Sequence, residues 1–107
     1  MKVTFNINFH TVWGQKLCVV GSIPELGSWQ PALAKEMNYR GEGNWILELD
    51  IPSDIPSIEY RYFLSVNDKQ IFEEWEKNHR ITFDGQADRY TLYDYWQIRP
   101  GNLAFYS

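Results

Sequence analysis

The chain is predicted to be all-β: an antiparallel immunoglobulin-like β-sandwich or open β-barrel of about seven to eight strands. Three observations carry that expectation. Strict two-residue alternation opens the chain, with Val3, Phe5, Ile7 and Phe9 on one face and Thr4, Asn6, Asn8 and His10 on the other. Short apolar or alternating runs then recur, separated by clusters of Gly, Pro, Asn and Asp. Nothing along the chain reads as a long amphipathic helix.

Taken in order, Lys2 to His10 forms a half-buried strand, and Thr11 to Gly14 turns the chain. Leu17 to Val20 is apolar on both faces, as a central strand requires. A long loop, Ser22 to Leu33, follows. Ala34 to Tyr39 and Trp45 to Ile51 flank Arg40-Gly41-Glu42-Gly43-Asn44, whose glycines and asparagine suit a hairpin connection. Pro52 to Pro56 breaks the pattern. Ser57 to Val66 puts Ile58, Tyr60, Tyr62 and Leu64 inward against Glu59, Arg61 and Phe63 outward. Asn67-Asp68-Lys69 reverses the chain into Ile71 to Glu76. Arg80 to Phe83, a turn at Asp84-Gly85, and Arg89 to Trp96 complete the series, with Trp45 and Trp96 at core parity.

Composition narrows the function classes. A length of 107 residues supports one domain with a core that needs no metal or disulfide staple. That domain is expected over residues 1–96, and 97–107, with Pro100-Gly101 and then Leu103-Ala104-Phe105-Tyr106, reads as a linker or the start of a following domain. A net charge of −4 and the lack of any Lys/Arg run argue against nucleic acid as a partner. No apolar span of membrane length occurs, and no signal-peptide pattern follows Met1-Lys2, so no membrane association and a cytoplasmic location are expected. The single cysteine, Cys18, reads as a small buried hydrophobe. His10, Cys18 and His79 lack metal-ligand spacing, so no metal and no cofactor are expected. Carboxylates are plentiful (Glu73, Glu74, Glu76, Asp84, Asp88, Asp94), yet short loops offer little wall for the deep cleft a glycosidase pair needs, and no catalytic residue is assigned. The aromatic content is the anomaly: 17% of residues, with five Trp, seven Tyr and six Phe, more rings than a core of this size absorbs.

One stretch organises the rest: Val19 to Trp29, V-V-G-S-I-P-E-L-G-S-W. A buried strand ends at Gly21, Pro24 stiffens the loop, and Gly27-Ser28 delivers Trp29 on a short tether, either back onto the core as a cap or outward as an exposed plate. The wording V-G-S-x-x-x-L-G-S-W resembles the opening signature of family 20 carbohydrate-binding modules, the starch-binding domains. In that family a second Trp follows an E-Y-[KR]-[FY] segment. Here Glu59-Tyr60-Arg61-Tyr62 precedes Glu74-Trp75-Glu76 in the same order, and the resemblance runs to about Trp96.

The resemblance implies non-catalytic binding of α-1,4-glucans such as starch, glycogen and maltooligosaccharides. Trp29 and Trp75 would be stacking plates for the apolar faces of glucose, with Arg61 donating to sugar hydroxyls and Glu59 accepting from another. A solvated Glu59–Arg61 ion pair is the plain alternative. The family carries an Asn in a P-N-R string after the second Trp. This chain has Trp75-Glu76-Lys77-Asn78-His79-Arg80, one residue shorter, so either Asn78 or His79 takes that place, and His79 otherwise reads as an exposed loop residue. A second site of the family maps onto Trp13 and Tyr39, for which the alternatives are a cover on the barrel end and packing on Trp45. The resemblance extends to the front module of cytosolic 4-alpha-glucanotransferases of glycoside hydrolase family 77, implying a covalently linked catalytic domain. Other parents of the same kind are a glucan phosphatase or a phosphodiesterase, and a protein-interaction β-sandwich is the reading from a different class.

Overall fold

The computed structural model describes residues 1–67, 69–73 and 78–96. Glu74, Trp75 and Glu76, together with the expected linker at 97–107, lie outside the described residues. Among the described residues the strands are β1 (Lys2–Asn8), β2 (Gln15–Gly21), β3 (Lys35–Glu36), β4 (Asn38–Tyr39), β5 (Asn44–Asp50), β6 (Ser57–Val66), β7 (Lys69–Glu73), β8 (His79–Thr82) and β9 (Arg89–Tyr95). They form two sheets, ordered β4-β5-β1-β9 and β3-β2-β6-β7, with β8 pairing the start of β6. The predicted all-β sandwich is therefore the fold.

Alternation places the core between the sheets. Val3, Phe5 and Ile7 from β1 meet Leu17 and Val19 from β2 and Ile58, Tyr60, Tyr62 and Leu64 from β6, all buried. Phe5 and Tyr60 come from opposite sheets and meet edge-to-face, ring centroids 5.0 Å apart at 80°, a contact worth about 1 kcal/mol beyond its buried area. Trp45 is buried in this core, and Trp96 stacks on Phe9 at 4.1 Å, as their strand parity predicts. Cys18 is buried with Val20 and Phe63 in a small cluster on the outer side of the second sheet, under Ala34.

Two features differ from the expected arrangement. The segment Ala34 to Tyr39 is not one strand: Lys35 and Glu36 pair with Val19 and Cys18, whereas Asn38 and Tyr39 pair with Ile46 and Trp45 in the other sheet. Met37, 5% exposed, is the corner, its side chain in the core and its N–H bonded to Leu17 O at 2.9 Å. A buried apolar pivot lets one segment serve two layers. The sandwich is also not purely antiparallel, because β9 pairs with β1 in parallel, Lys2 opposite Arg89 and Asn8 opposite Tyr95.

Candidate functional site

The loop after β2 is built around Trp29. Gly27, Ser28 and Trp29 all have left-handed backbone, at φ 83°, 48° and 65°. For Ser28 and Trp29 that conformation costs about 1–2 kcal/mol each. A ladder of backbone bonds holds it: Gly27 N–H to Pro24 O at 2.9 Å, Ser28 N–H to Ile23 O at 3.0 Å and Trp29 N–H to Gly21 O at 2.9 Å. Leu26, fully buried, anchors the loop in the core. Gly21 and Gly27 are required by close approach. A Cβ at Gly21 would lie 2.6 Å from Glu59 O, and one at Gly27 would lie 2.7 Å from Leu33 O. The outcome is an indole 40% exposed on a backbone with little freedom.

Beside this loop lies the outward face of β6. Ser22 ties the two together, its N–H donating to Glu59 O at 2.9 Å and its Oγ accepting from Glu59 N–H at 3.1 Å. Arg61, two residues on and so on the same face, donates from Nε to Asn78 Oδ1 at 3.0 Å. That bond fixes one edge of the guanidinium and turns the Asn78 carboxamide toward it. Glu59 is exposed on this face. Trp75, the second expected plate, lies outside the described residues.

His79 is not on this face, which corrects the expectation of an exposed loop residue or a replacement for the asparagine. It begins β8 opposite Tyr60, so its side chain points inward. The imidazole stacks on the Tyr60 ring at 5.2 Å and 13°, and Nδ1 lies 3.6 Å from Asp94 Oδ1. Because neighbouring residues on a strand face opposite ways, an inward His79 makes Asn78 the outward residue.

At the far end of the sandwich, Trp13 sits at the tip of the β1–β2 connection, 98% exposed. The tip is closed by Gln15 N–H to Val12 O at 3.0 Å and by Val12 N–H to Gln15 Oε1 at 2.8 Å. Tyr39, 53% exposed, leans on Trp45 with centroids 5.0 Å apart, and its hydroxyl accepts from Gly43 N–H at 3.1 Å. Trp13, Tyr39 and Trp45 line one groove of about 310 Å³ with Gln15 and Lys16. Tyr39 thus does pack on Trp45, and still offers half its surface to the groove.

A family model described as a starch binding domain matches residues 1–93. The chain belongs to the starch-binding domain family. Glucoamylase-1 of Schizophyllum commune is 30% identical over 95 residues, covering 89% of this chain and 16% of the glucoamylase. A 4-alpha-glucanotransferase of Oryza sativa subsp. japonica is 26% identical over 102 residues, covering 89% of this chain and 11% of that enzyme. The family 20 module of a maltotetraose-forming amylase from Pseudomonas saccharophila superposes with a TM-score of 0.70 at 17% identity, over 86% of this chain and all of that one. This last likeness shows the fold. The starch-binding domain spans only a small part of its enzymatic relatives.

Sequence reasoning missed one cluster in the starch-binding domain. Asp94 is at an inward position of β9, and its Oδ2 accepts from Tyr60 Oη at 2.8 Å and Tyr62 Oη at 2.6 Å, across the two sheets. Two buried phenols and an inward histidine share one carboxylate. The available signal was parity: Asp94 falls in the inward series Tyr90, Leu92, Asp94, Trp96. Another carboxylate, Asp84, serves its own turn, accepting from Gln86 N–H and Tyr90 Oη at 2.9 Å each. The Gln86 N–H, then the Tyr90 hydroxyl, hold Asp84 below the usual carboxylate range. Desolvation, then the Asp84 carboxylate, push the Tyr90 phenol up.

Proposed function

We propose that this starch-binding domain binds α-1,4-glucans without catalysing their turnover. One site takes sugar rings on Trp29 and Trp75 and hydroxyls on Arg61, Asn78 and Glu59, and a second uses Trp13 and Tyr39. The observation that carries the reading is the half-exposed Trp29 indole, held by a backbone ladder beside the Arg61–Asn78 pair. A flat ring needing no reordering, edged by hydrogen-bonding groups, matches a sugar with an apolar face and a hydroxyl rim. A shallow surface of this kind supports micromolar to millimolar affinity for short ligands. If two sites engage one long chain, linkage raises the apparent affinity without any new contact.

The test is calorimetry with β-cyclodextrin and maltoheptaose. Trp29→Ala should lose about 1–3 kcal/mol of binding free energy, the range of aromatic stacking on a flat ring. Unchanged affinity in a folded variant removes Trp29 from the site.

The parent is proposed to be a 4-alpha-glucanotransferase carrying this domain covalently. The rice glucanotransferase match supports that parent, and the glucoamylase match fits another amylolytic enzyme equally well. In either setting the domain would hold the enzyme on its polymer and raise the local concentration of chain ends. Reading the gene beyond Ser107 decides: a glucanotransferase catalytic domain supports the proposal, and another catalytic class overturns it.

A further inference from the structure

The outer face of the β4-β5-β1-β9 sheet carries a feature that neither site uses. Strand register lines up Asn44, Asn8 and Tyr95 in one row across β5, β1 and β9, and Ile46, Asn6 and Tyr93 in the next. Tyr93 and Tyr95 are 77% and 83% exposed, side by side on the sheet's edge strand and about 7 Å apart along it. With Asn6, Asn8 and Asn44 they line a groove of about 340 Å³.

The polar groups of this groove are carboxamides with capacity to spare. Asn6 Nδ2 donates to Leu92 O at 3.1 Å, which aims its Oδ1 away from that bond. Asn8 Nδ2 donates to Glu42 O at 3.1 Å and to Asn44 Oδ1 at 2.8 Å, bonds that use neither the Asn8 oxygen nor the Asn44 amide protons. The one charged residue among the lining groups is Asp94, and its carboxylate points inward to Tyr60 and Tyr62. The surface therefore presents two aromatic plates, mixed donors and acceptors, and no net charge. A phosphate backbone finds no cation here, and a charged peptide finds no counter-ion. A neutral polyhydroxylated chain finds both stacking faces and partners for its hydroxyls.

Position singles out the occupant. Trp45 borders both this groove and the Trp13–Tyr39 groove, its own side chain lying on the core face of β5 opposite Ile7, so the two adjoin at that residue. We propose that the Asn6–Asn8–Asn44 and Tyr93–Tyr95 face is an extension subsite, which takes the continuation of a glucan chain already seated on Trp13 and Tyr39. This rests on the glucan-binding reading above. Its consequence is a preference for long chains, since a short oligosaccharide fills the first groove and never reaches the tyrosines.

The experiment compares maltotriose with a long linear maltodextrin in calorimetry on the wild-type chain, Trp13→Ala, and Tyr93→Ala/Tyr95→Ala, with thermal melts to confirm folding. The double tyrosine variant should bind maltotriose as the wild type does and bind the long chain about tenfold more weakly. Trp13→Ala should abolish the difference between the double variant and its background, because the extension has lost its entry. In the wild type, side-chain amide resonances of Asn8 and Asn44 should shift with the long chain and not with maltotriose. Equal long-chain affinity in wild type and double variant overturns the subsite while leaving the glucan reading intact. Wild-type protein that binds neither sugar overturns both. Self-association of the wild type that the double variant loses, with unchanged sugar affinity, assigns the face to a protein contact instead and overturns the subsite.

Discussion

Replacing Gly27 tests whether the loop's backbone, rather than its tryptophan alone, makes the site. Two separable penalties meet at this position. An L-residue at φ 83° pays about 1–2 kcal/mol for the left-handed conformation. Its Cβ would also lie 2.7 Å from Leu33 O and 2.8 Å from Leu33 C, backbone atoms that cannot rotate away. Relieving that approach means opening the loop and releasing the bonds that pin Ser28 and Trp29. Gly85 isolates the first penalty, since it has φ 76° and no atom within 4 Å of an added Cβ. Gly85→Ala should therefore cost about 1–2 kcal/mol, and Gly27→Ala roughly 3 kcal/mol or more. At about 4–8 °C per kcal/mol for a domain of this size, the first variant melts roughly 4–16 °C lower and the second roughly 12–24 °C lower. Glucan affinity should be unchanged in Gly85→Ala and fall about tenfold in Gly27→Ala, with Trp29 untouched in sequence. Gly27→Asn adds a check, because Asn tolerates the left-handed region but carries the same Cβ, and should recover little. Matching melts and matching affinities for the Gly27 and Gly85 alanine variants would refute the reasoning.

Asn78→Ala should weaken binding by removing one hydrogen bond that orients the Arg61 guanidinium, while leaving the melt within a few degrees of wild type. His79→Ala should do the reverse, lowering the melt through the lost Tyr60 stack; calorimetry beside differential scanning separates the two. Asp94→Ala removes the charged acceptor of two buried phenols and should cost about 2–4 kcal/mol in urea unfolding; Asp94→Asn keeps an acceptor and should cost less. Asp84, depressed in the folded state, contributes stability that is present above its ordinary value of 3.8 and is lost as pH falls through the lower folded value. Asp84→Asn should flatten that acid limb in a pH series of melts, and a limb of unchanged steepness would assign it elsewhere.

The fold was legible where burial is local. The inward series Ile58, Tyr60, Tyr62, Leu64 needs only a period of two and one wet side, and the core contains all of it. Cys18 between apolar neighbours needs no more. Pairing is not local. Alternation from Ala34 to Tyr39 is the same whether a strand keeps one partner or exchanges it at Met37, and nothing near Arg89 to Tyr95 says that β9 lies parallel to β1. The site divided along the same line. The residue types around Trp29 were readable, whereas the choice between Asn78 and His79 turned on a register of one residue in β8 that only pairing with β6 supplies.

That dependence on register explains how a shallow surface can be rigid. Each outward group that the structure places is held through an inward neighbour. Asn78 precedes His79, which is clamped between Tyr60 and Asp94. Arg61 lies between Tyr60 and Tyr62, whose hydroxyls cross to the other sheet. Trp29 hangs from Gly21 and from a loop anchored by Leu26. Tyr39 leans on the buried Trp45. These side chains are ordered by the same contacts that fold the domain, so little ordering remains to oppose binding. Trp13 is the exception, 98% exposed at the tip of the turn that Val12 and Gln15 close. Binding there must order a free indole, an entropic cost of about 0.5–1.5 kcal/mol that Trp29 does not bear. The Trp29 site should therefore be the tighter for a short glucan, and the Trp13 groove should depend on chain length to compete with it.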